Sequence, residues 1–252
     1  MNAPEYEIMY RLEDSHWWYA GMHTLIFSTL AGLHQAQGEP PWLILDAGCG
    51  TGAIACGLRR FGQVKAIDLS GLALQFSQRR GLGGHIGQAS VAALPAPANT
   101  FDLVVSIDVI CSVPEDGQAL AEFYRVLKPG GVLLLNLPAL AWLRGEHDRA
   151  VNIIHRYHPR ELQAQMTEQG FVVEKMSFAN SLLFPLVAPY RLATNWFPNG
   201  DREPRSDVFL PPRWLNYVLG QMMKLEASLI PHLRLPIGMS LFVVARKAVG
   251  EG

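Results

Sequence analysis

The stretch Leu43-Ile44-Leu45-Asp46, followed by Gly48-Cys49-Gly50-Thr51-Gly52, constrains the fold more than any other part of the chain. An apolar run that ends in an acid and then in three alternating glycines reads as a buried strand breaking sharply into a helix. Glycines tolerate left-handed backbone and let the main chain approach a ligand. In open α/β sheets that approach occurs at the carboxyl edge of the strands. The pattern continues downstream. Short apolar runs at Trp42–Asp46, Gln63–Asp68, Gly84–Gln88, Phe101–Ile107 and Gly131–Leu137 alternate with helix-length segments near 52–61, 70–80 and 116–128, the last stopped by Pro129-Gly130-Gly131. Such alternation predicts an α/β fold, a doubly wound Rossmann-like sheet. A further helix is expected from Pro159 to Gln169, then strands at Phe171–Phe178 and Met239–Ala245. The expected sheet is mostly parallel with an antiparallel last strand.

Two segments do not alternate. Residues 1–35 read as an N-terminal helical cap holding His16-Trp17-Trp18-Tyr19, and residues 180–236 as a helical insertion before the last strand. The core is then 36–179, with 237–252 as its last strand and tail. In the insertion, Leu215, Val218, Leu219, Met222, Leu225 and Leu229 recur at helical spacing after Pro211-Pro212. With Phe184, Tyr190, Trp196, Phe197, Phe209, Trp214 and Tyr217 beside them, three roles stay open for it: a lid over a lipophilic acceptor, a homodimer face, or a transient membrane contact.

Charge narrows the partners. Twenty-one Lys+Arg against 22 Asp+Glu leave no basic footprint for nucleic acid, so a small, roughly neutral molecule is the expected partner. Cys49, Cys56 and Cys111 have neither disulfide nor metal-ligand spacing, and no helical His-x-x-x-His pair suggests a metal. Residues 1–15 carry Glu5, Glu7, Arg11, Glu13 and Asp14 in place of the apolar run of a secretory leader. A cytoplasmic location is the expectation.

Asp68 closes the second strand roughly 20 residues after Asp46, the spacing of a carboxylate that meets ribose hydroxyls. A dinucleotide is a poor fit. Gly48-x-Gly50-x-Gly52 lacks the G-x-G-x-x-G spacing that seats a pyrophosphate, and Asp46 would repel phosphate. S-adenosylmethionine (SAM) has no pyrophosphate, and its ammonium suits an acid there. A nucleotide-dependent oxidoreductase is therefore the weaker alternative, and a non-catalytic SAM-binding protein a second one.

With those residues in view, the chain resembles the class I SAM-dependent methyltransferases, in particular the small-molecule branch with the ubiquinone and menaquinone biosynthesis enzymes. The matching segments are Leu45 to Gly52, Asp68-Leu69, Ala93-Leu94-Pro95 through Asn99-Thr100-Phe101-Asp102, and Arg125 to Gly131. The resemblance implies a SAM site made of Asp46, Gly48, Cys49 and Gly50, with Asp68 on the ribose and Leu69 beside the adenine. Ser90, followed by Val91, stands where the family often has an acid on the adenine amino group. Glu13 to Met22 and Trp142 to Ala150 are similar to a narrower branch in which Met22 is usually Arg, which leaves His23 or Arg11 to supply the cation. Trp18 and Tyr19 are expected to cover the sulfonium, which is attracted to aromatic faces. Asp108, after the fourth strand, sits where the methyl group is expected. The cluster Glu146, His147, Asp148, His155, Arg156 and Tyr157 follows the fifth strand, and from these His147, Asp108 and Tyr157 are the catalytic candidates. Arg144, Arg149, Arg156 and Arg191 leave room for an anionic head group on the acceptor.

Overall fold

The computed structural model describes residues 1–38, 40–196 and 210–249, with the side chains of 194–196 left out. Phe197, Phe209 and the side chain of Trp196 therefore lie outside the described residues. Seven strands form one sheet: β1 (Trp42–Ala47), β2 (Gly62–Asp68), β3 (Ile86–Gln88), β4 (Phe101–Ile107), β5 (Leu127–Pro138), β6 (Phe171–Ala179) and β7 (Ser240–Lys247). Their order is β3-β2-β1-β4-β5-β7-β6. The first five run parallel, and β7 lies antiparallel between β5 and β6. The order reverses between β1 and β4, and a crevice opens at the strand ends beside such a switch point.

Alternation along the central strands builds a core on each face. Leu133, Leu135 and Leu137 of β5 join Ala119, Leu120 and Phe123 of α5 (Asp116–Val126) and Leu162 and Met166 of α7 (Pro159–Glu168). On the other face, Val132 and Leu134 meet Met22, Leu25, Ile26 and Leu30 of α2 (Trp17–Ala36) and Leu58 of α3 (Ala53–Leu58). Ala227 of α9 (Arg213–Leu229) and Ile230 belong to that same cluster. The stretch 180–236 is thus partly core. α9 crosses α2 so closely that a Cβ on Gly21 would fall 2.3 Å from Cβ of Met223. Asn216 ties the two helices further, accepting from Trp17 N–H at 3.0 Å and donating to the Ser15 carbonyl at 2.9 Å.

Several expected boundaries shift for local reasons. The cap is two helices, α1 (Ala3–Leu12) and α2, and His16 Nδ1 accepts from Trp18 N–H at the start of the second. The expected helix over 70–80 is α4 (Gly71–Ser77) followed by a widened turn through Gln78–Leu82, which Gly81 ends at φ +80°. Pro129-Gly130-Gly131 does not follow α5 as a loop. It is a bulge inside β5, whose pairing jumps from Phe101↔Leu127 to Leu103↔Val132, and Lys128 Nζ donates to Asp102 Oδ1 across it at 2.7 Å. α6 (Glu146–Ala150) and α8 (Phe184–Trp196) complete the helices used below. No described helix is long and apolar enough to cross a membrane.

Candidate active site

A cavity of about 900 Å³ lies along the carboxyl edge of the sheet. Strand order lays out its contents. Asp68 ends β2, the glycine turn follows β1, Asp108 follows β4, Pro138 ends β5 and Ser240 begins β7, all in its wall.

At the β1–β2 end the glycine turn is shaped by hydrogen bonds and positive φ. Gly48 and Cys49 N–H both donate to the Ile67 carbonyl at 2.8 Å. Gly48 has φ +89°, and a Cβ there would fall 2.3 Å from Cγ2 of Val109, so no larger residue fits without moving the turn. Asp68 receives Gly50 N–H on Oδ2 at 2.9 Å and Ser70 N–H on Oδ1 at 2.8 Å. These bonds aim the carboxylate and leave it further lone pairs to accept from a ligand. Gly48, Cys49, Gly50, Leu69, Ser90 and Val91 join Asp68 in the wall. Leu69 is 70% exposed, an apolar platform over the mouth. Ser90 Oγ already accepts from Ala92 N–H at 3.2 Å, which leaves its hydroxyl hydrogen for a ligand.

Asp46 stands beneath the turn and outside the cavity wall. It is 2% exposed, its Oδ2 has no hydrogen-bond partner, and burial followed by the nearby Asp68 charge pushes its carboxyl up to about 7. The residue that grips the turn from the cap side is one the sequence did not single out for this task. Glu13, in the break between α1 and α2, is 2% exposed; it accepts from the Thr51 hydroxyl and pairs with Arg80 at 2.8 Å. Burial is the largest influence on its carboxyl and raises it. The signal was its place at the head of the Glu13–Met22 segment, but its partner is 38 residues away.

Trp18 and Tyr19 line the cavity with their rings edge-to-face, 5.0 Å apart. Arg11 does not supply the cation that Met22 lacks, because it pairs with Glu7 on the outer surface of α1. His23 does reach the cavity, yet burial lowers its imidazole below the ordinary 6.5 and leaves it neutral at pH 7.

Asp108 occupies the middle of the edge with φ +55°. Its N–H donates to the Asn136 carbonyl at 2.8 Å, and its Oδ1 accepts from Asn136 Nδ2 at 3.1 Å. Burial pushes this carboxyl up to about 7 against the opposing pull of that bond and of Arg156. Beyond it the wall turns apolar, with Leu183 and Val187 from the α8 region and Leu215 and Leu219 from α9. His147 faces this end, as do Arg156 and Arg191. Arg156 is committed to structure: it clasps the buried Asp148 at 2.6 and 2.7 Å and donates to the Ala139 carbonyl at 2.8 Å. Arg191 lies 3.6 Å from the same carboxylate. Arg144 turns to the Ile154 carbonyl, and neither it nor Arg149 is in the wall. Tyr157 is not brought to the cavity either. Its ring is 5% exposed in the core, its hydroxyl donates to Asp116 at 2.9 Å, and burial raises its pKa, so it is in no position to exchange a proton with a ligand.

A family model for the methyltransferase domain matches residues 45–135. The chain is similar to a protein of Mycolicibacterium smegmatis named "Probable S-adenosylmethionine-dependent methyltransferase", at 31% identity over 172 residues, 65% of this chain and 62% of that protein. It is also similar to the ubiquinone/menaquinone biosynthesis C-methyltransferase UbiE of Allorhizobium ampelinum, at 34% identity over 126 residues, 46% of this chain and 49% of the relative. The chain thus spans less than two thirds of the length of either relative. A SAM-dependent methyltransferase from Mesorhizobium loti shares the fold with TM-score 0.56 at 16% identity, covering 82% of this chain and 92% of that one. Domain match and strand order agree: residues 45–135 match a methyltransferase domain, and the chain is similar to SAM-dependent methyltransferases in sequence and fold.

Proposed function

We propose that the protein transfers a methyl group from SAM to a small, largely apolar acceptor. The observation that carries this reading is one continuous cavity that runs from the Gly48–Asp68 cradle past Asp108 to the apolar wall of α8 and α9. When bound, SAM supplies a sulfonium-activated methyl carbon: the acceptor's lone pair forms the new bond to it as the carbon–sulfur pair returns to sulfur. The chain's own residues then have three tasks. Gly48, Gly50, Asp68, Leu69, Ser90 and Val91 hold the cofactor, and Asp68 orients its ribose. Trp18, Tyr19, Val187, Leu215 and Leu219 exclude water and fix the acceptor's approach, which supplies much of the rate in a displacement of this kind. Asp108 takes the proton released by the acceptor, since a carboxyl that titrates near 7 is matched to that role at neutral pH. His147, facing the same end, orients the acceptor.

The outer stripe of α9, Trp214, Tyr217, Val218 and Leu225, points away from the cavity. It is where a homodimer or transient membrane contact of the 180–236 region would form.

The test is a screen of small phenols, amines and lipophilic quinols with methyl-labelled SAM, read by label transfer and S-adenosylhomocysteine release. Transfer that is abolished in Asp108→Asn and retained in Tyr157→Phe supports the assignment. S-adenosylhomocysteine binding with no transfer to any of the three classes favours a binding protein in place of an enzyme.

A further inference from the structure

We infer that Asn136, buried in the centre of the sheet, is a positioning residue that fixes the Asp108 carboxylate at the reacting edge of the cavity. The inference deepens the methyltransferase reading and rests on it.

β5 crosses the middle of the molecule as Val132-Leu133-Leu134-Leu135-Asn136-Leu137, and every one of these residues is at most 1% exposed. An amide in that run has an unfavourable half. Its Oδ1 is buried without a hydrogen-bond partner, and an unsatisfied buried acceptor is destabilising. Leucine has the same number of side-chain heavy atoms and would continue the apolar pattern. The favourable half is the other end of the amide, whose Nδ2 donates to Asp108 Oδ1 at 3.1 Å. The backbone carbonyl of the same residue accepts Asp108 N–H at 2.8 Å. One residue thus holds Asp108 by main chain and side chain together. A non-glycine residue at φ +55° needs such restraint, because the left-handed region is intrinsically disfavoured for it.

Asn136 itself is absent from the cavity wall, so it acts through Asp108 and not on a ligand. The other groups facing Asp108 are Arg156 before α7, Tyr19 on α2 and Cys111 in the turn after β4. Burial raises both the phenol and the thiol, so neither adds charge near neutrality. Burial also favours the neutral acid at Asp108, whereas the Asn136 bond and Arg156 favour the carboxylate. Removing the amide takes away the first-named of those two opposing influences.

The experiment is a pH titration of Asp108 by carbon NMR of the aspartate carboxyls, assigned with Asp108→Asn, in the wild type and in Asn136→Leu. Melting temperature and S-adenosylhomocysteine affinity are measured alongside. The wild-type carboxyl is expected to titrate near 7 and to rise by about one unit in N136L, with melting temperature unchanged or higher and S-adenosylhomocysteine affinity within about twofold. Asn136→Ala, which adds no volume, reads the same shift if the leucine variant folds poorly. A wild-type Asp108 that titrates near its ordinary 3.8 overturns the inference, as does an Asp108 unmoved by either substitution. So does loss of affinity and folding together in both variants, which would make Asn136 a structural residue only. Failure of the wild type to bind S-adenosylhomocysteine counts instead against the methyltransferase reading beneath it.

Discussion

Replacing Asp68 by Ala removes the ribose acceptor and also leaves Gly50 and Ser70 N–H without their carboxylate. Charge-assisted bonds of this kind contribute ~1.5–3 kcal/mol each, so S-adenosylhomocysteine affinity should fall at least about tenfold in calorimetry. An unchanged affinity would mean that the ribose lies elsewhere. Asp108 makes a prediction of opposite sign for stability. Its folded-state value of about 7 lies above the ordinary 3.8, so ionising it costs stability. The cost is absent below pH 4, grows as pH rises and is complete above about 7. Asp108→Asn should therefore gain melting temperature relative to wild type as pH is raised from 5 to 8, and a gap independent of pH would contradict the assignment. Of these residues, the place of Asp68 at the end of β2 could be read from the sequence, because it closes an apolar run at the expected spacing. Glu13 and Asn136 could not, since the first acts on Thr51 and the second on Asp108, partners that only the fold brings near.

The helices that cover the cavity are held by buried carboxylates. Glu13 bolts the α1–α2 break to the glycine turn through Thr51 and to the widened turn after α4 through Arg80. Glu226 of α9 accepts Ser181 and Leu182 N–H at 2.8 and 2.9 Å, which anchors the chain where it leaves β6 toward α8. Glu13→Gln keeps the shape but weakens the charge-assisted bonds. Faster hydrogen exchange in residues 3–20 and roughly tenfold weaker S-adenosylhomocysteine binding are expected; exchange indistinguishable from wild type would show that the cap is held by packing alone. The strands from β1 to β5 were legible because their apolar runs are bounded by glycine, proline and acids. The β5 bulge was not, since Pro129-Gly130-Gly131 carries the same signal whether it ends a helix or kinks a strand.

For the molecule as a whole, the described residues of the stretch 180–236 serve both as cavity wall and as core. Periodicity identified α9 as amphipathic but could not say which partner its apolar face meets; the fold puts Ala227 and Ile230 against α2 and Leu215 and Leu219 at the cavity. Deleting the stretch should therefore leave an unfolded or aggregating chain, whereas Leu219→Gln should keep S-adenosylhomocysteine binding while losing acceptor turnover. A soluble, ligand-binding deletion variant would show the region to be a mere lid. Every role assigned to the cavity residues depends on SAM as the cofactor. Calorimetric titration of the wild-type protein with S-adenosylhomocysteine and, separately, with NAD⁺ tests it most directly. Saturable one-to-one binding of S-adenosylhomocysteine, with none of NAD⁺, is predicted; NAD⁺ binding without S-adenosylhomocysteine binding would contradict it.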